Sequence, residues 1–157
     1  MEKLQAAIID IDGTLALHEG LRGHYEYGKV LQDLPNSPVI DLVSRMVMAN
    51  STGLREIVPL FVSGRMDCNE GQVRRDTIQW LSRYCFAPYA DELFMRQEFL
   101  PDGKNDYRPD FIVKEEIYHN LIKPKYDVLY AIDDRKQVVD MWRRLGITCF
   151  QCAEGNF

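Results

Sequence analysis

Residues 7–15 read Ala-Ile-Ile-Asp-Ile-Asp-Gly-Thr-Leu. An aliphatic run that ends in two carboxylates one residue apart, followed at once by glycine, reads as a short apolar strand leading into a polar turn. The run does not alternate with polar residues, as expected for a strand covered on both faces. Similar short runs recur at about 57–62 (IVPLFV), 93–95 (LFM), 128–132 (VLYAI) and 147–151 (ITCFQ). Helical periodicity fills the intervals, over roughly 37–50, 70–86, 110–122 and 135–145. The first helix opens with Ser37-Pro38, a cap followed by proline, and the last stops at Leu145-Gly146. Strands alternating with helices predict an α/β fold, a doubly wound and mainly parallel Rossmann-like sheet.

With 157 residues, 46% of them hydrophobic, the chain has the size of one domain and can bury about 70% of its unfolded surface. We expect a single domain over 1–157, with a small flap loop at about 16–36. The net charge of −5 argues against a broad basic face, so any contact with nucleic acid is expected to be confined to an end or a loop. No apolar run approaches the roughly 18 residues of a membrane span, and the first ten residues lack the regions of a signal peptide. This predicts no membrane partner and a cytoplasmic location. Cys68, Cys85, Cys149 and Cys152 are too scattered for a disulfide scaffold and read as reduced thiols. Cys149 and Cys152 match C-x-x-C, but on a strand residues three apart point to opposite faces. Trp80 and Trp142 fall in amphipathic helices and read as core residues.

Ligands of such sheets bind beyond the carboxyl ends of the strands. Asp10 and Asp12 follow the first strand, Ser63-Gly64-Arg65 the second and Asp133-Asp134 the fourth, and the helical Lys114 joins them. Carboxylates gathered at one sheet edge repel one another unless a cation neutralises them. Asp10, Asp133 and Asp134, with no histidine or cysteine ligand nearby, predict a hard, oxygen-loving ion, most simply Mg²⁺; Asp12, beside Asp10, joins the candidate metal-site carboxylates. Ser63 and Lys114 supply a hydroxyl and a cation, the usual partners of a phosphoryl oxygen. Together these groups describe phosphoryl transfer. Asp10 is the candidate nucleophile, and Asp12, two residues on and so on the same face, the candidate general acid and base. Gly13 lets the backbone turn sharply, and Thr14 can bond the turn or the phosphate.

Read this way, Asp10-Ile-Asp12-Gly-Thr-Leu, Ser63-Gly64-Arg65, Lys114 and Asp133-Asp134 resemble the four motifs of the haloacid dehalogenase superfamily. More narrowly, "IDIDGTLA", "VKEEIYHNLI" and "AIDDRKQVVDMWRRLGITCFQCAEGNF" look like the 3′-phosphatase domain of phage polynucleotide kinase/phosphatase enzymes. The resemblance implies Mg²⁺-dependent removal of a 3′-terminal phosphate from DNA or RNA, leaving a 3′-hydroxyl for end repair. It implies Asp10 as nucleophile, Asp12 as acid and base, Ser63 and Lys114 as phosphate binders, and Asp133 and Asp134 as metal ligands. Arg22, in the loop after the first motif, Arg65 and Asp110 fit further functional positions. Asp110 lies four residues before Lys114, on its helical face, where it can orient Lys114 or Arg65.

The fused enzymes also carry a kinase, whereas no G-x-x-x-x-G-K-[ST] loop occurs here; this predicts no 5′-kinase activity in the chain and leaves room for a separate kinase or ligase partner. The resemblance also leaves a homodimer open. A flap as small as 16–36 leaves the site open, which suits a polymer end better than a metabolite that must be enclosed. Within it, Tyr25 and Tyr27 could stack a terminal base and Arg22 meet a phosphate, or the aromatics could pack the loop onto the domain. His18, His24 and His119 prompt no catalytic assignment. The alternatives are a small-molecule nucleotide phosphatase using the same residues, a non-catalytic phosphate-end binder, and a phosphotransferase to an alcohol.

Overall fold

In the computed structural model, residues 2–53, 55–84 and 86–155 are described; Cys85 lies outside them. Five parallel strands form one sheet in the order β5-β4-β1-β6-β7. They are β1 (Leu4–Ile9), β4 (Val58–Asp67), β5 (Leu93–Gln97), β6 (Tyr126–Arg135) and β7 (Thr148–Gly155). A two-stranded antiparallel ribbon, β2 (Ala16–Leu17) with β3 (Leu34–Pro35), ties the two ends of the expected flap together. Helices α1 (Ser37–Ala49), α2 (Gln72–Ser82), α3 (Asp110–Ile117) and α4 (Lys136–Arg144) follow the periodicity of the sequence. The doubly wound α/β expectation is met.

Strand β1 shows why its sequence is apolar from Ala6 to Ile9. Ala7, Ile9 and Ile11 join a core with Val39 and Val43 of α1 and Val73, Trp80 and Leu81 of α2. Ala6 and Ile8 join the opposite core with Val113 and Ile117 of α3 and Val138, Val139 and Trp142 of α4. Alternate residues point to opposite faces, and both faces carry helices, so from Ala6 on no position is left for a polar side chain until the strand ends. Trp80 and Trp142 are fully buried, one in each core, and replacing either with alanine should cost about 3–5 kcal/mol. Cys149 packs in the α3/α4 core and Cys152 against the other, the opposed orientation expected of a C-x-x-C on a strand.

Three details differ from the expectation. The cap of α1 is Asn36, not Ser37; it makes no side-chain capping bond, because its amide donates to the Thr14 carbonyl at 2.9 Å. The helix expected over 110–122 changes at Tyr118–Ile122 to a π-helical turn. Strands β4 and β6 run further than their apolar cores, so Ser63, Gly64, Arg65, Asp133 and Asp134 belong to the strand ends themselves. There the pairing slips: Ser63 faces Met95 whereas Met66 faces Arg96, and a second irregularity lies between Asp133 and Arg135. Such bulges bend a strand and re-aim its side chains, and both occur where the polar residues are wanted.

Candidate active site

Asp10 leaves β1 on the face that carries α3, and its backbone N–H still donates to the Ile132 carbonyl of β6 at 3.0 Å. From the second turn of α3, the buried Lys114 ammonium donates to Asp10 Oδ1 at 2.6 Å and to Asp133 Oδ2 at 2.8 Å. The remaining oxygen, Asp10 Oδ2, is buried and accepts no hydrogen bond. Asp10, Asp133 and Asp134 each offer an oxygen to one point, the three atoms lying within 4.8 Å of one another. Burial, and next the neighbouring Asp133 carboxylate, push the Asp10 carboxyl well above its ordinary range despite Lys114. Burial and Asp133 also raise Asp134. Burial alone would lower Lys114, but Asp10 and Asp133 outweigh it and keep the ammonium charged.

These facts test the expected metal. An all-oxygen donor set, an unsatisfied buried carboxylate oxygen and two acids strained by repulsion fit a hard divalent cation such as Mg²⁺. Gly13 makes room for one of the ligands. It adopts φ +87°, and a Cβ there would sit 2.6 Å from the Asp134 carboxyl carbon.

Asp12 occupies different surroundings. Arg65 grips it with two bonds, Nε to Oδ2 and Nη2 to Oδ1, both at 2.8 Å. Arg22 Nη2 adds a third to Oδ1 at 2.9 Å. Burial would raise this carboxyl, but Arg65 and then Arg22 hold it well below the usual carboxylate range. Both guanidinium groups are in turn anchored by Asp33, whose side chain is fully buried: Arg22 reaches it at 2.7 and 2.8 Å and Arg65 at 2.8 Å. Trp80 Nε1 holds the Asp33 carbonyl at 2.9 Å, and Thr77 takes Arg65 Nη1 at 3.1 Å. The flap is thus fastened by a buried lattice of two arginines and two aspartates. Sequence reasoning missed Asp33. Its one signal was that 16–36 contains a single aspartate and an arginine that, once buried, needs a carboxylate.

Asp10, Asp12, Gly64, Arg65, Asp110, Lys114, Asp133 and Asp134 line a cavity of about 370 Å³ at the carboxyl ends of the strands. Three expected site residues stand behind that lining. Ser63 is fully buried, its hydroxyl accepting the Arg65 N–H at 3.1 Å. Thr14 is fully buried, its hydroxyl 3.7 Å from Cys152 Sγ. Arg22 is occupied by Asp12, Asp33 and the carbonyls of Gly23 and His24. Nor is Asp12 in the carboxylate trio, since arginines take both of its oxygens. Asp110 orients neither Lys114 nor Arg65 by hydrogen bonding. It accepts instead from Arg96, and from Arg135 at 2.7 Å, and a Cβ on Gly64 would lie 2.6 Å from its Oδ1. Arg96 also donates to the carbonyls of Gly64, Asp106 and Arg108. Arg96, Arg108 and Arg135 line the cavity, as do His24, Tyr25, Tyr27 and Tyr107; of these only the two flap tyrosines are expected from the sequence to contact substrate. His119 is exposed, with an ion-pair distance of 3.9 Å to Glu115. No helix among the described residues is long and apolar enough to cross a membrane.

Comparison with known proteins places this geometry. The profile of the family described as "Polynucleotide kinase PNKP phosphatase domain" matches residues 4–157. A protein of Autographa californica nuclear polyhedrosis virus, provisionally named a bifunctional polynucleotide kinase/RNA ligase, is 31% identical over 144 residues. The match takes in 91% of this chain and 18% of the viral protein. Two solved structures superpose with a TM-score of 0.77 each, one described as the Pnkp1/Rnl/Hen1 RNA repair complex and the other as the Pnkp1/Rnl/Hen1 complex. They are 36% and 37% identical to this chain, covering 99% and 98% of it but 44% and 47% of their own chains. The chain therefore spans less than half the length of each of these relatives. It belongs to the polynucleotide kinase PNKP phosphatase-domain family, within the haloacid dehalogenase superfamily of phosphatases.

Proposed function

We propose that this chain is a Mg²⁺-dependent polynucleotide 3′-phosphatase that works through an aspartyl-phosphate on Asp10, in the repair of DNA or RNA ends. One observation carries the chemistry: among the described residues, Asp10 Oδ2 is the one fully buried side-chain oxygen of the carboxylate–lysine cluster without a partner, while Lys114 steadies Oδ1. A carboxylate so held is a fixed nucleophile with one oxygen to spend. Family membership supplies the polynucleotide end, and the arginines of the cavity lining suit a polyanion.

In the first step an Asp10 oxygen attacks phosphorus, the P–O3′ bond breaks, and a proton from Asp12 goes to O3′, leaving a 3′-hydroxyl and phospho-Asp10. In the second, Asp12 takes a proton from water as the water oxygen attacks phosphorus, and the bond to Asp10 breaks, releasing inorganic phosphate. Lys114 pairs with charge on the phosphoryl oxygens, and the Ser63 hydroxyl and the Arg65 N–H it supports fix the floor beneath them. Mg²⁺ held by Asp10, Asp133 and Asp134 would supply neutralising charge for a phosphoryl group among carboxylates. The low-lying Asp12 carboxyl is in the form the second step needs. For the first it must carry a proton, which requires Arg65 to relax toward its other partners, Asp33 and Thr77.

Phosphate release is measured from matched oligonucleotides bearing a 3′- or a 5′-phosphate and from the free 3′-mononucleotide, with Mg²⁺ or EDTA. The proposal expects metal-dependent release that is far faster from the 3′-oligonucleotide, and its abolition in Asp10→Asn with an unchanged circular-dichroism spectrum. Equal or faster release from the mononucleotide would move the chain to the metabolite phosphatases, and tight binding without release would make it an end-binding module. A kinase or ligase acting on the same ends remains the expected partner, by the company its relatives keep.

A further inference from the structure

Two tyrosines at the mouth of the cavity have no task inside the protein. Tyr25 is 75% exposed and Tyr107 79%, the two highest values among the exposed large hydrophobic side chains, and both line the cavity. Among the described residues neither hydroxyl has a hydrogen-bond partner, and the Tyr107 ring meets no other ring.

Their backbones, by contrast, are fixed. The residues on either side of Tyr107 are pinned by Arg96 Nη1, which donates to the Asp106 carbonyl at 3.0 Å and the Arg108 carbonyl at 2.7 Å. Asp106 additionally accepts the backbone N–H of Arg108 at 3.1 Å. Tyr25 sits in a turn closed by Gly23 and Glu26, which bond to each other in both directions. Its ring is braced edge-on by His24 at 4.8 Å and Tyr27 at 6.4 Å. A flexible loop presents an aromatic at an entropic cost to any ligand that stacks on it; here that cost is already met by the fold.

The two rings come from different segments. Tyr25 lies between β2 and β3 and Tyr107 follows β5, and the cavity they line also takes in Gly64 and Arg65 at the end of β4. A phosphoryl group engaged at Asp10 leaves the rest of its nucleotide to extend toward this mouth. We infer that Tyr25 and Tyr107 form a stacking platform for the nucleobase at the phosphate-bearing end of the substrate. The inference rests on the polynucleotide phosphatase reading and adds to it the residues that select for a base. Every base has a π-face, so such a platform tolerates all four while favouring the larger purines.

The test uses the full chain with Mg²⁺ and two 3′-phosphorylated oligonucleotides that differ only in their terminal nucleoside, adenine-bearing or abasic. Base stacking of the usual strength predicts a KM roughly 5- to 160-fold higher for the abasic end, with kcat nearly unchanged. In Tyr25→Ala/Tyr107→Ala the KM for the adenine end rises toward the abasic value and the discrimination disappears, whereas Tyr25→Phe/Tyr107→Phe retains it. Binding of the same oligonucleotides is followed in parallel by fluorescence anisotropy. Equal KM and equal binding for the two ends, or undiminished discrimination in the alanine variant, would overturn the platform. If no oligonucleotide releases phosphate, it is the phosphatase reading that falls, and the anisotropy comparison still decides whether the base is gripped.

Discussion

Gly13→Ala tests the metal cluster through the backbone that makes room for it. At φ +87° a Cβ would lie 2.6 Å from the Asp134 carboxyl carbon. Asp134 Oδ2 would lie nearer still, so the side chain would have to retreat by at least 0.4 Å to reach the 3.0 Å below which real Cβ atoms are essentially never found, and by at least 0.8 Å to reach ordinary contact at 3.4 Å. Mg²⁺ accepts ligands only near 2.0–2.1 Å in close to ideal octahedral geometry, so displacing one carboxylate by a good fraction of a bond length should weaken binding about 10- to 100-fold. The left-handed backbone costs an alanine a further 1–2 kcal/mol or so, which lowers Tm by roughly 2–8 °C in a domain of this size. Gly146→Ala separates the two effects: φ there is +81°, but nothing lies within 4 Å of its Cβ, so it suffers the strain without the clash. The assay is thermal unfolding with and without Mg²⁺. At an ion concentration of about 100 Kd the wild type and Gly146→Ala should gain about 2.7 kcal/mol, and Gly13→Ala only about 0.4–1.4 kcal/mol. An Mg²⁺-induced rise in Gly13→Ala equal to that of Gly146→Ala would refute the reasoning, and no rise in the wild type would refute the metal site.

Asp33→Ala leaves the buried Arg22 and Arg65 without their common anchor; unfolding in urea should show a loss of about 3–5 kcal/mol, and a loss under 1 kcal/mol would mean that water or Asp12 replaces it. Asp12→Asn keeps the shape of the lattice but removes the proposed proton shuttle, so phosphate release should fall by about 10²- to 10⁴-fold; a change of a few-fold would assign the proton to water. Asp106 is held below its ordinary value of 3.8, first by the Arg108 hydrogen bond and against the effect of burial. A depressed acid contributes stability above its unfolded pKa and loses it as pH falls through the folded value, so the stability gap between wild type and Asp106→Asn, followed by urea titration at each pH, should be full at neutral pH and close below about pH 4. A gap independent of pH would show that the loop is held by something other than that charge.

Much of this architecture was legible in the sequence because burial on two faces leaves a plain trace. Ala6 to Ile9 had to be apolar at every position, and the helices that cover them carry the matching periodicity. Asp10, Lys114, Asp133 and Asp134 were legible for a related reason: each interrupts or closes an element at the one edge of the sheet where polar groups can collect. What stayed hidden depends on pairings across long stretches of chain. Asp33 is 11 residues from Arg22 and 32 from Arg65, and nothing local distinguishes it from a solvated loop aspartate. Arg96 and Arg135 gave no sign of converging on Asp110, because that meeting depends on the slips in register beyond Ser63 and Asp133, and slips are invisible to period counting. The β2/β3 ribbon, two residues per strand, is too short to have a period.

The two carboxylates of the opening stretch show how one motif yields two chemical environments. Spaced two apart, Asp10 and Asp12 share a strand-like face, yet their neighbours come from different halves of the molecule. Asp10 is buried beside two further carboxylates; burial first, then these neighbours, raise its pKa against the opposing effect of Lys114, and one of its oxygens is left unpaired. Asp12 meets two guanidinium groups supplied by the flap and by the bulge in β4, which lower its pKa. Environments that drive neighbouring acids apart are the usual means of dividing labour between them. The division here does not reside in the motif: it is imposed by Asp33, which holds both arginines on Asp12, and by α3, which delivers Lys114 to Asp10. A change at Asp33 should therefore alter the behaviour of Asp12 while leaving the trio of Asp10, Asp133 and Asp134 able to bind its cation, so that metal affinity and turnover, coupled in Gly13→Ala, come apart in Asp33→Asn.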